Sequence, residues 1–255
     1  SVQSSPLDLG QGRLMSHTHS GTSLPKLRRL TGGILALVGV GLLVPCAPSP
    51  AEQSEPASNP AHLRQWTFDS SAPGTLPSAY IVGTLFDGRP AGEWKILITD
   101  RAKSPSQVLA QVQPKGTDQT NKLLLMEGTG STNLDLEVSY LAVAGKADFG
   151  GGLVWHAVDD RNYYLLRVSL IEQKLRLYRV VKGVPQVVKQ IDRPLPATGW
   201  HTLRVVQRGC EIKALYDDTV LIRACDTTFA NGRIGLLTKA DAITYFDDLS
   251  LRLLD

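Results

Sequence analysis

The sequence has little net charge once its first 51 residues are set aside, and this excludes one large class of partner. The sequence has 27 basic and 24 acidic side chains. The first 51 residues contain four of the basic and one of the acidic side chains, so the other 204 residues carry 23 of each. No basic stripe that would follow a phosphate backbone is present, and we do not expect nucleic acid as a partner. The sequence also lacks a Ser-His-Asp signature, a glycine-rich phosphate loop before a helix, and the Cys/His spacing typical of zinc sites.

Long hydrophobic runs are also missing. Three basic side chains within residues 26–29 precede an apolar run over residues 33–44, which is too short for a spanning helix of about 20 residues. A basic start followed by a short apolar core is typical of a secretory signal, and small residues favour cleavage after Ala51. We therefore predict an upstream extension and signal peptide over residues 1–51. The protein is then exported, periplasmic or extracellular, with no membrane span in the mature chain.

Two alternatives stay open for this leader. It could be a buried core helix or a membrane anchor, although three prolines follow it between residues 45 and 50. Cys46 could instead carry a lipid anchor, although Pro45 stands where a lipobox has a small residue. Residues 52–62 are rich in Pro, Ser, Ala and Glu and are typical of a flexible linker. We assign residues 63–255 to one folded domain.

Short segments with two-residue alternation dominate this domain. Residues 134–140, for example, alternate apolar with acidic or polar side chains, as expected of a half-buried strand. We predict strands over residues 65–68, 94–99, 108–112, 123–126, 134–140, 152–156, 163–170, 174–181, 187–191, 201–207, 211–216, 219–224, 233–238 and 243–253. A convincing helical stripe and an internal repeat are both missing. The pattern therefore predicts an all-β protein, a two-sheet antiparallel β-sandwich.

Six segments carry a family resemblance. They are Gly151–His156, Asp160–Leu165, Leu175–Gly183, Gly199–Val205, Gly232–Asp241 and Thr244–Leu249. Together they resemble a bacterial concanavalin A-like family that is usually described as 3-keto-disaccharide hydrolase-like and is akin to laminin-G-like modules. The resemblance covers residues 133–253 well and 63–132 poorly. It implies a concanavalin A-like jelly roll, a fold that hosts both lectins and glycosidases and so does not decide the activity.

One departure from enzymes of this fold bears on function. Retaining glucanases carry Glu-x-Asp-x-Glu on one strand, where one carboxylate is the nucleophile and another the acid. The nearest match here is Asp135 and Glu137, with Asn133 and Ser139 at the flanking same-face positions. We interpret this acid pair as a solvated polar face. The expected function is therefore glycan binding at the bacterial cell envelope by a monomeric module. The alternatives are a glycoside hydrolase acting on 3-keto-disaccharides or related glycosides, and a non-catalytic structural or protein-binding envelope domain.

Candidate ligand-binding side chains cluster on one predicted hairpin and in one later loop. They are His156, Asp160, Asn162, Tyr164 and Arg167 on the hairpin, and Lys239 and Asp241 in the loop. A sugar site needs planar groups for stacking and polar groups that bind hydroxyls, and these residue types supply both. Trp155 and Trp200 either add stacking surface or anchor the core.

A carboxylate in the last strand raises the question of a metal. Asp247 falls in a row with apolar side chains from Ile243 to Leu253. A carboxylate in such a row must be paired, hydrogen-bonded or metal-bound. Related sandwiches often hold a structural calcium with an aspartate and backbone carbonyls, the hard oxygen ligands that this ion prefers. Asp247, or else Asp248, is therefore a candidate calcium ligand, and the competing interpretation is that Asp247 caps loop amides.

Two cysteines lie in the domain. Cys210 and Cys225 are equidistant from a predicted turn at Asp217-Asp218, which in an oxidising compartment suggests a cross-strand disulfide. Two arguments oppose it. The pair would occupy a hydrogen-bonded position, where Cα atoms lie about 5.5 Å apart. In addition, the apolar rows of the two strands share a face only if the register slips by one, which would put the sulfurs on opposite faces.

Overall fold

The computed structural model describes residues 62–84 and 92–255, and this part of the chain contains fifteen β-strands. They are β1 (Leu63–Trp66), β2 (Tyr80–Thr84), β3 (Trp94–Ile98), β4 (Gln107–Gln111), β5 (Asn121–Ser131), β6 (Leu134–Ala144), β7 (Gly150–Asp159), β8 (Asn162–Ser169), β9 (Lys174–Val181), β10 (Val184–Asp192), β11 (His201–Arg208), β12 (Glu211–Tyr216), β13 (Thr219–Cys225), β14 (Gly232–Lys239) and β15 (Ile243–Leu253). The predicted leader, its Cys46 and the linker up to residue 61 lie outside the described residues, so these assignments stay predictions. Within the described ranges, no helix has the length and apolarity needed to cross a bilayer.

The strands form two antiparallel sheets. Sheet I has the order β13-β12-β11-β6-β15-β4-β3, and β1 also pairs with β15. Sheet II has the order β10-β9-β8-β7-β14-β5-β2. Strand β15 is long enough to pair with β6 along one edge and with β4 and β1 along the other. The predicted all-β, two-sheet antiparallel sandwich is therefore confirmed.

The main core lies between the sheets and is built from alternate residues of each strand. On β6, Leu134, Leu136 and Val138 are fully buried in this core, while the acidic residues between them face outward. Full burial of one such side chain contributes about 1.5–3 kcal/mol. Trp155 of sheet II donates its indole N–H to Oε1 of Gln207 in sheet I over 2.6 Å. The sequence periodicity therefore reflects one shared interior.

Three strands, Lys174–Val181, Glu211–Tyr216 and Ile243–Leu253, have the predicted bounds. The prediction missed β2, whose neighbouring residues Ile81 and Val82 are 38% and 37% exposed. Ile81 and Val82 point to opposite faces of β2, both are apolar and both are partly exposed, so the alternation that reveals a strand is absent.

A β-bulge in β15 changes which residues face the core. Asp248 has a φ of 47°, and the pairing with β6 shifts register at this point. Phe246 before the bulge and Leu249 after it both belong to the main core. Asp247 and Tyr245 therefore face away from the core. The prediction of one continuous apolar row containing Asp247 is wrong, because the extra residue exchanges the two faces of the strand.

Cys210 and Cys225 form a disulfide, with Cα atoms 4.6 Å apart. The pairing of β12 with β13 does slip by one residue, at a bulge between Ala214 and Leu215. Cys210 lies in the turn before β12 and not in the strand, so strand alternation does not set the direction of its side chain. The argument that a slip would separate the sulfurs is therefore wrong.

One buried lysine makes stability depend on pH. Lys122 of β5 is fully buried, and its Nζ donates a hydrogen bond to the carbonyl oxygen of Gln113. Burial lowers the pKa of Lys122 from 10.5 to about 8, against the opposing charge of Asp241. Between about pH 8 and the ordinary lysine pKa of about 10.4, the unfolded chain holds a proton that the folded chain has lost. Stability should therefore rise with pH across this window.

Lys122→Met tests this contribution, because it removes the titrating group and keeps an unbranched apolar side chain. We expect the Tm of the unaltered protein to increase, relative to that of the variant, between pH 8 and 10, measured by circular dichroism. Lys95→Met, on a half-buried lysine of β3, is the control and should leave the pH profile of the unaltered protein in place. Parallel profiles for the unaltered protein and Lys122→Met would show that this lysine keeps an ordinary pKa.

Candidate functional site

Sheet II is apolar on both faces. Besides the main core, it carries a second buried apolar cluster made of Leu123, Leu125, Val154, Ala157, Tyr163, Leu165, Val180 and Leu237. These residues alternate along their strands with residues of the main core, so they face away from sheet I. An antiparallel sheet that packs on one face usually has a polar second face. The outer face of sheet II therefore differs from an ordinary solvated surface.

A cavity of about 310 Å³, which we call the sheet II cavity, lies on this outer face. Its lining consists of Asp118, Gln119, Asn121, Leu165, Arg167, Tyr178, Val180, Pro185 and Lys239. Strands β8, β9 and β10 supply the apolar and aromatic residues together with Arg167, and β14, β5 and the loop before β5 supply the other polar ones. A small volume with an apolar wall and a few convergent polar groups is typical of a small-molecule site.

Arg167 is the most firmly held polar group of the cavity. Its side chain is 5% exposed, and Nη2 lies 2.6 Å from Oδ1 of Asp148, which is itself 3% exposed. Ser169 Oγ donates to the same carboxylate oxygen over 3.1 Å. Glu172, which is 42% exposed, lies 3.6 Å from Nη1 of Arg167. The guanidinium therefore has one buried and one exposed carboxylate partner, which fix its position against the cavity.

Asp241 supports this ion pair indirectly, by binding the backbone of the loop that carries Asp148. Its carboxylate accepts hydrogen bonds from the backbone N–H groups of Lys146, Ala147 and Asp148 over 2.8, 2.9 and 3.1 Å. These bonds outweigh the effect of burial and lower the pKa of Asp241. Because the same loop carries Asp148, Asp241 helps to orient Arg167 without lining the cavity.

Lys239 stands at the end of β14, opposite Asn121 of β5. Burial lowers the pKa of Lys239, and the positive charge of Arg167 lowers it further, against the opposing charges of Asp148, Glu172 and Asp118. The loop that supplies Asp118 is tied to this end of sheet II because Ala240 N–H donates to the carbonyl oxygen of Thr120 over 2.8 Å. The cationic side of the cavity therefore has a defined geometry.

A glycine makes room for the apolar wall. Gly152 of β7 pairs with Arg167 of β8 and with Leu237 of β14. A Cβ atom at this position would lie 2.7 Å from Cδ1 of Leu165, which is closer than real side-chain contacts allow. The absence of a side chain at position 152 thus lets Leu165 lean over β7 into the lining.

Two of the seven predicted ligand-binding residues lie inside the sandwich. His156 and Tyr164 are both 0% exposed. The imidazole Nδ1 of His156 lies 3.1 Å from the carbonyl oxygen of Phe229, and burial lowers its pKa. The phenol of Tyr164 donates to Oδ1 of Asp226 over 2.5 Å, and burial raises its pKa to about 12. The structure assigns both to internal packing, because a bulge at His156 turns its side chain inward.

Two further predicted residues shape the β7–β8 hairpin. Asn162 donates to both carboxylate oxygens of Asp159 and accepts from the backbone N–H of Lys182. Asp160 packs beside Gly83 of β2. The structure therefore brings only Arg167 and Lys239 together in the cavity, with Asp241 connected to them through the loop that carries Asp148.

The two tryptophans considered for stacking are placed differently. Trp155 is fully buried, and its ring stacks on that of Tyr164 with centroids 5.4 Å apart. Trp200 is partly exposed near sheet I, where its indole N–H donates to the carbonyl oxygen of Arg101 over 2.9 Å. Neither ring lines the sheet II cavity.

The surroundings of Asp247 match the interpretation in which its carboxylate caps loop amides. Its two oxygens accept hydrogen bonds from the backbone N–H groups of Lys103, Ser104 and Asp248, and from the hydroxyl of Ser104, over 2.8–3.1 Å. Burial raises the pKa of Asp247 in spite of these bonds. A calcium ion needs several oxygens turned towards it, whereas the neighbours here present N–H and O–H donors. The assignment of a structural calcium to Asp247 stays a prediction.

The acid pair of β6 lies on the outer face of sheet I and is held by an arginine. Arg204 donates to both carboxylate oxygens of Asp135, from Nε over 2.7 Å and from Nη2 over 2.6 Å. Glu137 lies 3.8 Å from Nε of the same guanidinium, and burial raises its pKa against the charge of Arg204. This arrangement stabilises neighbouring strands, and it leaves Asp135 without a free oxygen for an incoming group.

Sequence reasoning missed most of the cavity lining. Tyr178, Leu165 and Val180 follow the strand alternation and looked like ordinary sheet residues, while Asp118 and Asn121 lie in a region with little family resemblance. The sequences of β8 and β9 did contain one signal of this site. Apolar residues occupy both odd and even positions of these strands, and a sheet with this pattern has no fully solvated face.

These features define a two-sheet antiparallel jelly-roll β-sandwich with a cavity on one outer face. No protein-family model matches the sequence, and no curated protein matches it. Carbohydrate binding module CBM66 from Bacillus subtilis is similar in structure, with a TM-score of 0.54 and 19% identity over 67% of this chain and 94% of that chain. A β-glucanase from Bacillus licheniformis is also similar in structure, with a TM-score of 0.52 and 10% identity over 77% of this chain and 100% of that chain. A variant of the GH43 protein BlXynB from Bacillus licheniformis has a TM-score of 0.51 and 12% identity. This match covers 79% of this chain and 41% of that chain. At these identities the comparison establishes the fold alone.

Proposed function

We propose that this protein is an exported module that binds glycans at the bacterial cell envelope through the sheet II cavity. The observation that carries the proposal is the lining of that cavity. It places the phenol of Tyr178 and the apolar side chains of Leu165 and Pro185 beside the polar groups of Arg167 and Lys239. A sugar ring presents apolar C–H faces and polar hydroxyl edges, and such a divided surface matches it.

The cavity suits a binding site better than a glycosidase active site. A glycosidase uses two carboxyl groups on either side of the scissile bond. Among the described residues that line the cavity, Asp118 is the single carboxylate. The Asp135–Glu137 pair belongs to the other sheet and is engaged by Arg204. Carbohydrate binding module CBM66 and a β-glucanase both have this fold, so the choice between binding and hydrolysis depends on the cavity lining and not on the fold.

Glycoside hydrolysis is the second candidate, and one observation favours it. Glu137 is a half-buried carboxyl group whose pKa is raised by burial, as that of a general acid is. The resemblance to the 3-keto-disaccharide hydrolase-like family suggests the substrate class. An assay for sugar release from 3-keto-glucosides, with Glu137→Gln as the comparison, separates the two functions. A turnover that Glu137→Gln abolishes would replace the binding proposal with the enzymatic one.

Export is supported by the disulfide between Cys210 and Cys225. Disulfides persist in oxidising compartments and are rare in the cytosol. We extend the proposal to a periplasmic or secreted location on this basis. Fractionation of producing cells tests it, because the mature protein should appear outside the cytoplasm with this disulfide formed.

Tyr178→Ala tests the proposed site. Removing the phenol takes away the one aromatic ring that lines the cavity among the described residues. Removal of an aromatic side chain that stacks on a nucleobase costs about 1–3 kcal/mol, and a comparable loss here would lower glycan affinity by about fivefold to a hundredfold. A glycan array of the unaltered protein identifies the ligand, and titration calorimetry then measures both affinities.

Tyr245→Ala is the matched control. Tyr245 is also a half-buried tyrosine on an outer face, but it lies on sheet I, where Arg101 approaches its ring to 5.7 Å. This variant should bind glycans like the unaltered protein. If both variants lose binding equally, or if Tyr178→Ala keeps full affinity, the sheet II cavity is not the glycan site.

A further inference from the structure

We infer that the sugar recognised by the sheet II cavity carries a carboxylate, as a hexuronic acid does, and that Arg167 and Lys239 bind it. This inference rests on the glycan-binding function proposed above and narrows its ligand. It starts from the placement of two cations in one small cavity that also contains the aromatic and apolar wall.

The two cations are neighbours but differ in their counter-charges. Arg167 has a buried carboxylate partner in Asp148 at 2.6 Å. Glu172, the second carboxylate near Arg167, is mainly bound by Arg176, which donates to both of its oxygens over 2.5 and 2.9 Å. Within the described part of the chain, Lys239 has no carboxylate at ion-pair distance. A positive charge without a direct partner therefore lies beside a second positive charge.

Arg167 also has one hydrogen-bond donor without an acceptor in the described part of the chain. Its Nε–H is buried and has no hydrogen-bond acceptor among the described residues, although the side chain is 95% buried and lines the cavity. A buried donor without an acceptor is unfavourable, and an acceptor supplied by a ligand removes that cost. Asp148, which also accepts a hydrogen bond from Ser169, binds Nη2 at the other end of the guanidinium, so this donor cannot turn away to another partner.

A carboxylate on a sugar ring fits both observations. One oxygen can accept from the guanidinium and the other from the Lys239 ammonium, and charge-assisted bonds of this kind are stronger than bonds between neutral groups. Burial and the charge of Arg167 lower the pKa of Lys239, and an anion bound between the two cations would oppose that shift. The exposed Asp118 and the half-buried Asn121, which pairs with Lys239 across β5 and β14, can bind the ring hydroxyls beside the carboxylate.

The test uses pairs of probes that differ only in charge. The probes are methyl glycosides of glucuronic, galacturonic and mannuronic acid, each compared with its uncharged methyl ester. We expect at least one acid to bind roughly tenfold or more tightly than its ester, the factor that one charge-assisted hydrogen bond gives. Because Arg167 remains, Lys239→Gln should shrink that preference, by lowering the affinity for the acid several-fold more than the affinity for the ester.

Lys213→Gln is the control variant, because it removes the same charge from an exposed position on β12 of the other sheet. It should keep the preference for the acid. The preference of the unaltered protein should also decrease as pH rises through the lowered pKa of Lys239, because the ammonium then loses its charge while Arg167 keeps its own. The affinity for the ester should not follow this pH change.

The outcomes separate this inference from the proposed function. Equal binding of acids and esters, or an acid preference that Lys239→Gln leaves undiminished, overturns the carboxylate inference and leaves glycan binding intact. If neutral glycans bind on the array but no uronide binds in any form, the same conclusion holds. If no probe and no array glycan binds, both the inference and the proposed function are overturned.

Discussion

Asp148→Ala should destabilise the protein by about 3–5 kcal/mol, the cost of leaving a buried charge without its partner. Asp148 and Arg167 are 3% and 5% exposed, with Nη2 and Oδ1 separated by 2.6 Å. Removing the carboxylate leaves the guanidinium enclosed by the second apolar cluster of sheet II and the cavity wall. Urea unfolding followed by tryptophan fluorescence measures the loss, and glycan affinity should fall with it because Arg167 is no longer held.

The same arginine provides the control. Glu172 lies 3.6 Å from Arg167 but is 42% exposed, so Glu172→Ala should cost about 0–1 kcal/mol. Glu172→Ala also removes the ion pair with Arg176, so a small cost for this variant would show that both of these exposed contacts contribute little. If Asp148→Ala and Glu172→Ala cost the same, Arg167 is solvated and does not form a fixed wall of the cavity.

Loss of the disulfide should be the second large effect. Cys210 and Cys225 are separated by 15 residues in the sequence, and closing a loop of this length stabilises a folded chain by about 3 kcal/mol in the chain-entropy model. Cys210→Ser combined with Cys225→Ser should therefore lower the urea midpoint by the corresponding amount. The bond links the turn before β12 to the end of β13, the edge strand of sheet I.

A reducing agent gives the matched comparison. Dithiothreitol should destabilise the unaltered protein to about the level of the double variant and leave the double variant unchanged. Equal midpoints for the unaltered protein with and without the reductant, at a concentration shown by thiol titration to reduce the bond, would contradict this. The disulfide would then contribute nothing to the stability of the sandwich.

Two-residue periodicity was enough to predict the sandwich, because each sheet buries one face against the other. The prediction was wrong where the backbone adds a residue. The bulge at Asp247–Asp248 exchanges the faces of β15, and the bulge after Trp155 turns His156 inward. A bulge changes the parity of the pattern without a distinctive residue at the position, and Asp248 and His156 are not glycines although both have positive φ values.

The candidate site was predicted only in part, for a related reason. Arg167 and Lys239 were predicted as ligand-binding residues from the sequence, and the structure places both in the sheet II cavity. Tyr164 belongs to the same strand as Arg167, but it stands at a position of opposite parity and lies in the core. Tyr178 faces the cavity because its strand β9 pairs with β8, and this pairing is a property of the sheet that local sequence does not show.

The central claim is that sugar binds on the outer face of sheet II. The most direct measurement is amide chemical-shift mapping of the nitrogen-15-labelled protein during titration with the glycan that scores highest on the array. We predict that the largest shifts fall on residues 165–167, 178–180 and 239, and that they are lost in Tyr178→Ala. Shifts centred on residues 135–139 and 202–206 of sheet I, or no shift at a saturating glycan concentration, would contradict the account.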